Sequence, residues 1–169
     1  RPPMFEPRDG ERSLAHDPAG MKPDGHVVFI GHISSPWIKR EDCPKNMQQA
    51  RERNAPARLT LDPAYREGLA GLEDYSHIHI LTWLHHSPRN LIVQKPRHAS
   101  EAKGVFALRS PVRPNPVGLH TARIVRIDRS DGTIELDAID VLAGTPVLYI
   151  KPWFPSVDAV ADAAILQKD

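Results

Sequence analysis

Past residue 25 the chain alternates between apolar and polar positions in short segments at 26–33, 57–61, 76–84, 119–127, 134–142 and 147–151. These segments are rich in Val, Ile, Thr, Tyr and Phe, and a period of two sends alternate side chains to opposite faces of a strand. Turn chemistry separates them. Asp131-Gly132 between the fourth and fifth is a hairpin signal, and Gly144-Thr145-Pro146 divides the fifth from the sixth. Six such strands predict a mainly all-β chain built as an antiparallel meander or barrel. Helix is sparse: Asp62-Pro63 opens a short helix to about Leu69, residues 46–54 form another, and 157–166 read as a short amphipathic tail helix.

Two stretches lack periodicity. Residues 1–24 carry five prolines and two glycines and read as an extended or flexible arm, leaving 25–169 as the folded domain. Residues 86–103 are basic and irregular, as expected of a long loop. Length fits one domain, and no internal repeat is visible. A single Cys43 excludes an internal disulfide framework. With no apolar run of about 18 residues and no secretory leader, the expectation is a reduced, cytoplasmic protein that does not enter a membrane.

The formal net charge of +1 hides an asymmetry. Residues 88–129 hold nine lysines and arginines against two acids, whereas 130–169 hold seven acids against two lysines. Unless folding interleaves the halves, the basic one would attract a polyanion.

Several chemistries leave no trace: there is no G-x-G-x-x-G turn, no phosphate-loop lysine motif and no H-E-x-x-H. His77 and His79 share one strand face, and His85-His86 close that strand. A metal would need three or four converging ligands, and no cysteine pair supports one, so no metal is expected. Cys43-Pro44 reads as an ordinary loop pair. Asp137 and Asp140, at the end of the fifth segment, suit a cation, ribose hydroxyls or a proton, or else form a solvated strand edge. The stretch "RSPVRPNPVG" (109–118) is the stiffest in the chain, because each Pro fixes φ and restricts the residue before it. It is either a rigid wall aiming Arg109, Arg113 and Asn115 at a ligand or a proline-rich turn with solvated arginines.

In order and spacing, "GLEDYSHIHILTWLHH" (71–86), "GVFALRSPVRPNPVGLHTARI" (104–124) and "LDAIDVLAGTPVLYIKPW" (136–153) resemble the TrmO (TsaA-like) family of S-adenosyl-L-methionine-dependent tRNA methyltransferases. The resemblance runs from about Val27 to Trp153 and implies a single antiparallel β-barrel with short peripheral helices, assembled as a homodimer. Leu108 and His120 stand where the family more commonly has Thr and Ser. Carried over by position, the family's cofactor contacts fall on Lys45, Asn46, Met47, His85, His86, Arg109, Leu119, Asp137, Ala138, Ile139 and Asp140. The implied reaction is methylation of N6 of threonylcarbamoyl-adenosine beside the anticodon of tRNA. The anticodon loop would then meet the basic stretch at Lys95, Arg97 and Arg113. The competing readings are a cofactor- or RNA-binding barrel without methyl transfer, a methyltransferase acting on another small substrate, and, more distantly, a metal-dependent hydrolase.

Overall fold

A computed structural model describes residues 5–167, so residues 1–4 of the expected arm and the last two of the chain lie outside it. Six strands close into an antiparallel barrel: β2 (Gly31–Ser34), β3 (Ala57–Leu61), β4 (His77–Trp83), β7 (Val117–Asp128), β8 (Thr133–Leu136) and β9 (Pro146–Pro152). Their order around the barrel is β2-β3-β8-β7-β4-β9, with β9 returning to β2. The expected barrel is therefore present. The hairpin turn at Asp131-Gly132 joins β7 to β8, with Thr133 opposite Asp128. Inward positions of the alternating strands form the core, with Ile33, Leu59, Ile78, Ile80, Ile134, Leu136 and Val147 fully buried.

The structure corrects several boundaries. The first segment is a strand only from Gly31, where its ladders with β3 and β9 both begin. Val27, Val28 and Phe29 before it stay exposed. The fifth ends at Leu136 and not at residue 142. Beyond it the chain leaves the ladder, yet Ala138, Ile139 and Val141 are buried, so apolar character there marks a loop packed into the core. Trp37 pins this loop by donating its indole N–H to the Ile139 carbonyl at 2.9 Å, as does Ser35, whose hydroxyl donates to the Val141 carbonyl at 2.8 Å.

Helix α1 (Met47–Arg53) forms where expected, with Asn46 as N-cap accepting from the Gln49 N–H at 2.8 Å. Residues 63–69 are helical but wound as 3₁₀. The expected tail helix is only the single turn α2 (Pro155–Asp158). Val160, Ile165 and Leu166 beyond it are exposed, and an amphipathic segment that buries no face gains too little to pay for helix nucleation.

Residues 86–103 are not one irregular loop. They contain β5 (Leu91–Gln94) and the start of β6 (Lys103–Gly104), which join β1 (Arg12–Ser13) in a small sheet of order β1-β5-β6. Leu91 is buried there with Val105 and Val112, and Phe5 packs against them. Asn90 accepts from the Phe5 N–H at 3.0 Å and donates to its carbonyl at 2.8 Å. The Glu11 side chain is fully buried and accepts from Arg8 and from the Lys95 N–H at 2.9 Å. Burial opposes the Glu11 charge, but hydrogen bonds from Arg8 and Lys95 outweigh it and hold the carboxyl below its ordinary value.

A carboxyl lowered on folding contributes stability that is complete above its unfolded value, about 4.3, and is lost as pH falls through the lower folded value. Glu11→Gln is therefore expected to cost about 1–3 kcal/mol near neutral pH and to speed hydrogen exchange at the Lys95 amide. The difference from the parent should shrink below about pH 4, as acid unfolding curves of the two proteins would show.

Candidate functional site

A cavity of about 1140 Å³ opens at one mouth of the barrel, where β4, β7, the loop after β8 and the segment before α1 converge. Its wall carries Lys45, Asn46, Met47, His85, His86, Arg109, Leu119 and Asp140, eight of the eleven positions that the sequence resemblance selected. The other three are elsewhere. Ala138 and Ile139 are buried in the core, and the Asp137 carboxylate accepts from the Arg123 N–H at 2.9 Å beside a second, smaller depression. Asp140 itself sits in the loop beyond β8 and not on the expected strand end, and it reaches the cavity because residues 35 and 37 hold that loop inward.

The proline-rich loop is braced from two sides. The Arg113 guanidinium donates to the carbonyls of Val105 at 3.0 Å, Ser110 at 3.1 Å and Leu108 at 3.3 Å. Arg89 donates to the Pro114 carbonyl at 2.6 Å and the Asn115 side-chain oxygen at 3.0 Å, and its guanidinium lies over Trp83. Arg113 and Asn115 thus fasten the loop into the fold and do not aim at a ligand. Arg109 is left exposed on the cavity wall with no hydrogen bond or ion pair among the described residues. Arg97 also reaches the cavity, whereas Lys95 lies outside it, its backbone tied to Glu11 and Arg8.

The rings of His85 and His86 stack at 3.7 Å. Burial, and secondarily the charge of His86, depress the His85 imidazole below its usual value. Cys43 lines the same wall, where burial and then the nearby Asp140 carboxylate push its thiol up to about 11. A thiol raised in this way carries little thiolate near pH 8, so Cys43 is a poor nucleophile. Iodoacetamide at that pH is expected to alkylate it at least tenfold more slowly than free cysteine, and mass spectrometry over time would measure the difference.

His77 and His79 face away from this cavity. His77 bonds Ser76, and His79 bonds Thr121 at 3.1 Å and Asp158 at 3.0 Å. No three metal-ligating side chains converge among the described residues.

Sequence reasoning overlooked a buried polar chain that reaches the cavity wall at His120 and Asp140. Thr82 and His120, both at inward strand positions, are hydrogen-bonded at 2.8 Å, and His120 Nδ1 meets Asp140 Oδ1 at 2.6 Å. The available signal was two polar residues occupying inward places in strands otherwise lined by Ile and Ala.

Residues 32–159 match the family described as tRNA-methyltransferase O N-terminal domain. The chain belongs to the TrmO family. It is 39% identical over 129 residues to a probable S-adenosyl-L-methionine-binding protein, VirR, of Rhizobium radiobacter, covering 76% of this chain and 71% of that one. It is 30% identical over 141 residues to the tRNA (adenine(37)-N6)-methyltransferase of Escherichia coli K12, covering 80% and 60%. The crystal structure of TrmO from Pseudomonas aeruginosa superposes with a TM-score of 0.68 at 35% identity, covering 87% of this chain and 64% of that one. The chain thus spans less than two thirds of that solved TrmO chain, and the family likeness is a likeness of barrels.

Proposed function

We propose that this chain is an S-adenosyl-L-methionine-dependent tRNA methyltransferase acting on N6 of threonylcarbamoyl-adenosine beside the anticodon. The observation that carries this reading is the meeting of Lys45–Met47, His85-His86, Arg109, Leu119 and Asp140, from four separate stretches of sequence, around one cavity in a chain of this family. The residues present fit the methyl donor. Arg109 is an unengaged cation for its carboxylate, Asp140 retains acceptor capacity for its ribose hydroxyls, and Met47, Leu119 and Leu142 offer apolar surface for its adenine.

When bound, S-adenosyl-L-methionine supplies an electrophilic methyl group. This chain's residues hold and orient the reactants, and because the acceptor nitrogen is urea-like and weakly nucleophilic, alignment is the larger contribution. The protein works in the cytoplasm as a homodimer. Leu119, Leu81 and Tyr149 are paired across β7, β4 and β9 and face outward, with Leu119 and Tyr149 exposed, which supports a second copy covering this row.

Mass spectrometry of tRNA nucleosides tests the reading: purified protein with S-adenosyl-L-methionine should add one methyl to threonylcarbamoyl-adenosine. Tight binding of the donor with no methylated nucleoside would favour the alternative of a binding barrel, a reading supported by the name of the Rhizobium relative.

The basic stretch gives a further prediction. Affinity for tRNA should fall with salt as neutralised phosphates release counterions, each contact adding about 0.7–0.9 to the log–log slope. Reversing the charge at Lys95 and Arg97 is expected to flatten that slope by about one to two. Filter binding at several salt concentrations measures it, and an unchanged slope would place the RNA surface elsewhere.

A further inference from the structure

The barrel mouth holds a buried polar assembly of which the family reading uses only Asp140. Thr82 on β4 is fully buried and His120 on β7 nearly so, their side chains 2.8 Å apart. Asp140, from the loop after β8, has a side chain 14% exposed and forms part of the cavity wall. Three elements distant in sequence thus supply one chain of hydrogen bonds running from the barrel interior to the cavity.

Hydrogen-bond chemistry fixes its polarity. A carboxylate can only accept, so the 2.6 Å contact requires the proton on His120 Nδ1. Nε2 meets the Thr82 hydroxyl, which can donate to a bare ring nitrogen or accept from an N–H. Both nitrogens are thereby engaged inside the assembly. Asp140 gives up one acceptor direction to His120 and keeps the rest.

Space was made for this arrangement. Gly118 lies directly opposite Thr82 in the β4–β7 ladder, and a Cβ there would stand 2.3 Å from Thr82 Oγ1 and 2.6 Å from His120 Nε2. The absence of a side chain at 118 is what lets the imidazole reach the hydroxyl.

We infer that His120, locked by Thr82, is a positioning residue that aims the Asp140 carboxylate at the hydroxyl groups of the ligand in the cavity. The inference rests on the proposed methyl-donor site but assigns a part to residues which that reading leaves out. A floppy carboxylate would lose rotamer freedom on each binding event; one already clamped does not. Because the clamp acts only through Asp140, its removal should matter only while Asp140 can accept.

A double-mutant cycle read by calorimetry with S-adenosylhomocysteine tests this. His120→Leu is expected to weaken binding at least tenfold. His120→Asn, which keeps a donor at the Nδ1 position, should stay within about threefold of the parent. Asp140→Ala, which leaves no acceptor at all, should weaken binding at least as much as His120→Leu, and adding His120→Leu to it should cost little more. Should His120→Leu fail to fold, as urea unfolding would reveal, His120→Gln, which moves the donor away from Asp140, takes its place in the cycle.

Losses that multiply in the double variant, or equal losses for the Leu and Asn variants, would overturn the inference. Parent protein that does not bind S-adenosylhomocysteine overturns the proposed function and the inference with it; parent binding with His120→Leu at parental affinity overturns the inference alone. Nitrogen-15 NMR of the free protein gives a readout independent of any ligand. Nδ1 of His120 should carry a proton, and a ring protonated only at Nε2 would equally refute the clamp.

Discussion

Alanine at position 31 is expected to destabilise the barrel by about 3 kcal/mol or more, a large fraction of the stability of a domain this size. Gly31 opens β2 at the seam where the barrel closes, opposite Leu61 of β3 on one side and Val147 of β9 on the other. A Cβ there would lie 2.1 Å from the Thr60 carbonyl oxygen and 3.0 Å from the Leu61 Cα. Both obstacles are backbone, so no rotamer change relieves the clash; a strand must move and its ladder bonds lengthen. Urea unfolding should show a lower midpoint with an unchanged slope. Gly25→Ala is the control, because a Cβ at that position meets nothing within 4 Å and should change stability by no more than about 0.5 kcal/mol. Equal stabilities for the two variants would mean that the seam is pliable.

Arg109→Ala is expected to weaken binding of S-adenosylhomocysteine by about 1.5–3 kcal/mol, roughly tenfold to a hundredfold and more, while the unfolding midpoint stays close to the parent's. The two halves of this expectation have one origin. Arg109 makes no hydrogen bond or ion pair among the described residues, so the fold loses little with it, yet it stands on the cavity wall in a loop that Arg89 and Arg113 hold still. Arg109→Lys keeps the charge but not the planar fork and should recover only part of the affinity. Unchanged affinity in Arg109→Ala would remove this residue from the site, and a large fall in stability would show that it supports the loop instead.

The strands were legible wherever burial follows the period of two, as in β4, where Ile78 and Ile80 are buried and His77 and His79 are not. Legibility failed where apolar residues are buried without a ladder. Ala138 continues the alternation of β8 and Ile139 and Val141 follow it one residue out of phase, yet all three belong to a loop, because packing into the core needs no strand partner. It failed again at β1 and β5, whose pairing joins residues about 80 apart that no local pattern can relate. The cavity wall was legible through motif positions, whereas His120 and Thr82 were not, since hydrogen bonding between side chains on two strands depends on a register that only the folded barrel sets.

The small sheet has a consequence for how the protein is made. Phe5, Arg8 and Glu11 find their partners at Asn90 and Lys95, more than 80 residues later. During synthesis the segment holding these three residues must therefore stay unpaired until Lys95 has left the ribosome. The barrel closes later still, because β2 meets β9 only once Val147 has emerged. A bulky group fused ahead of Phe5 would thus disturb the small sheet and the rim it supports while leaving the barrel's own pairings untouched.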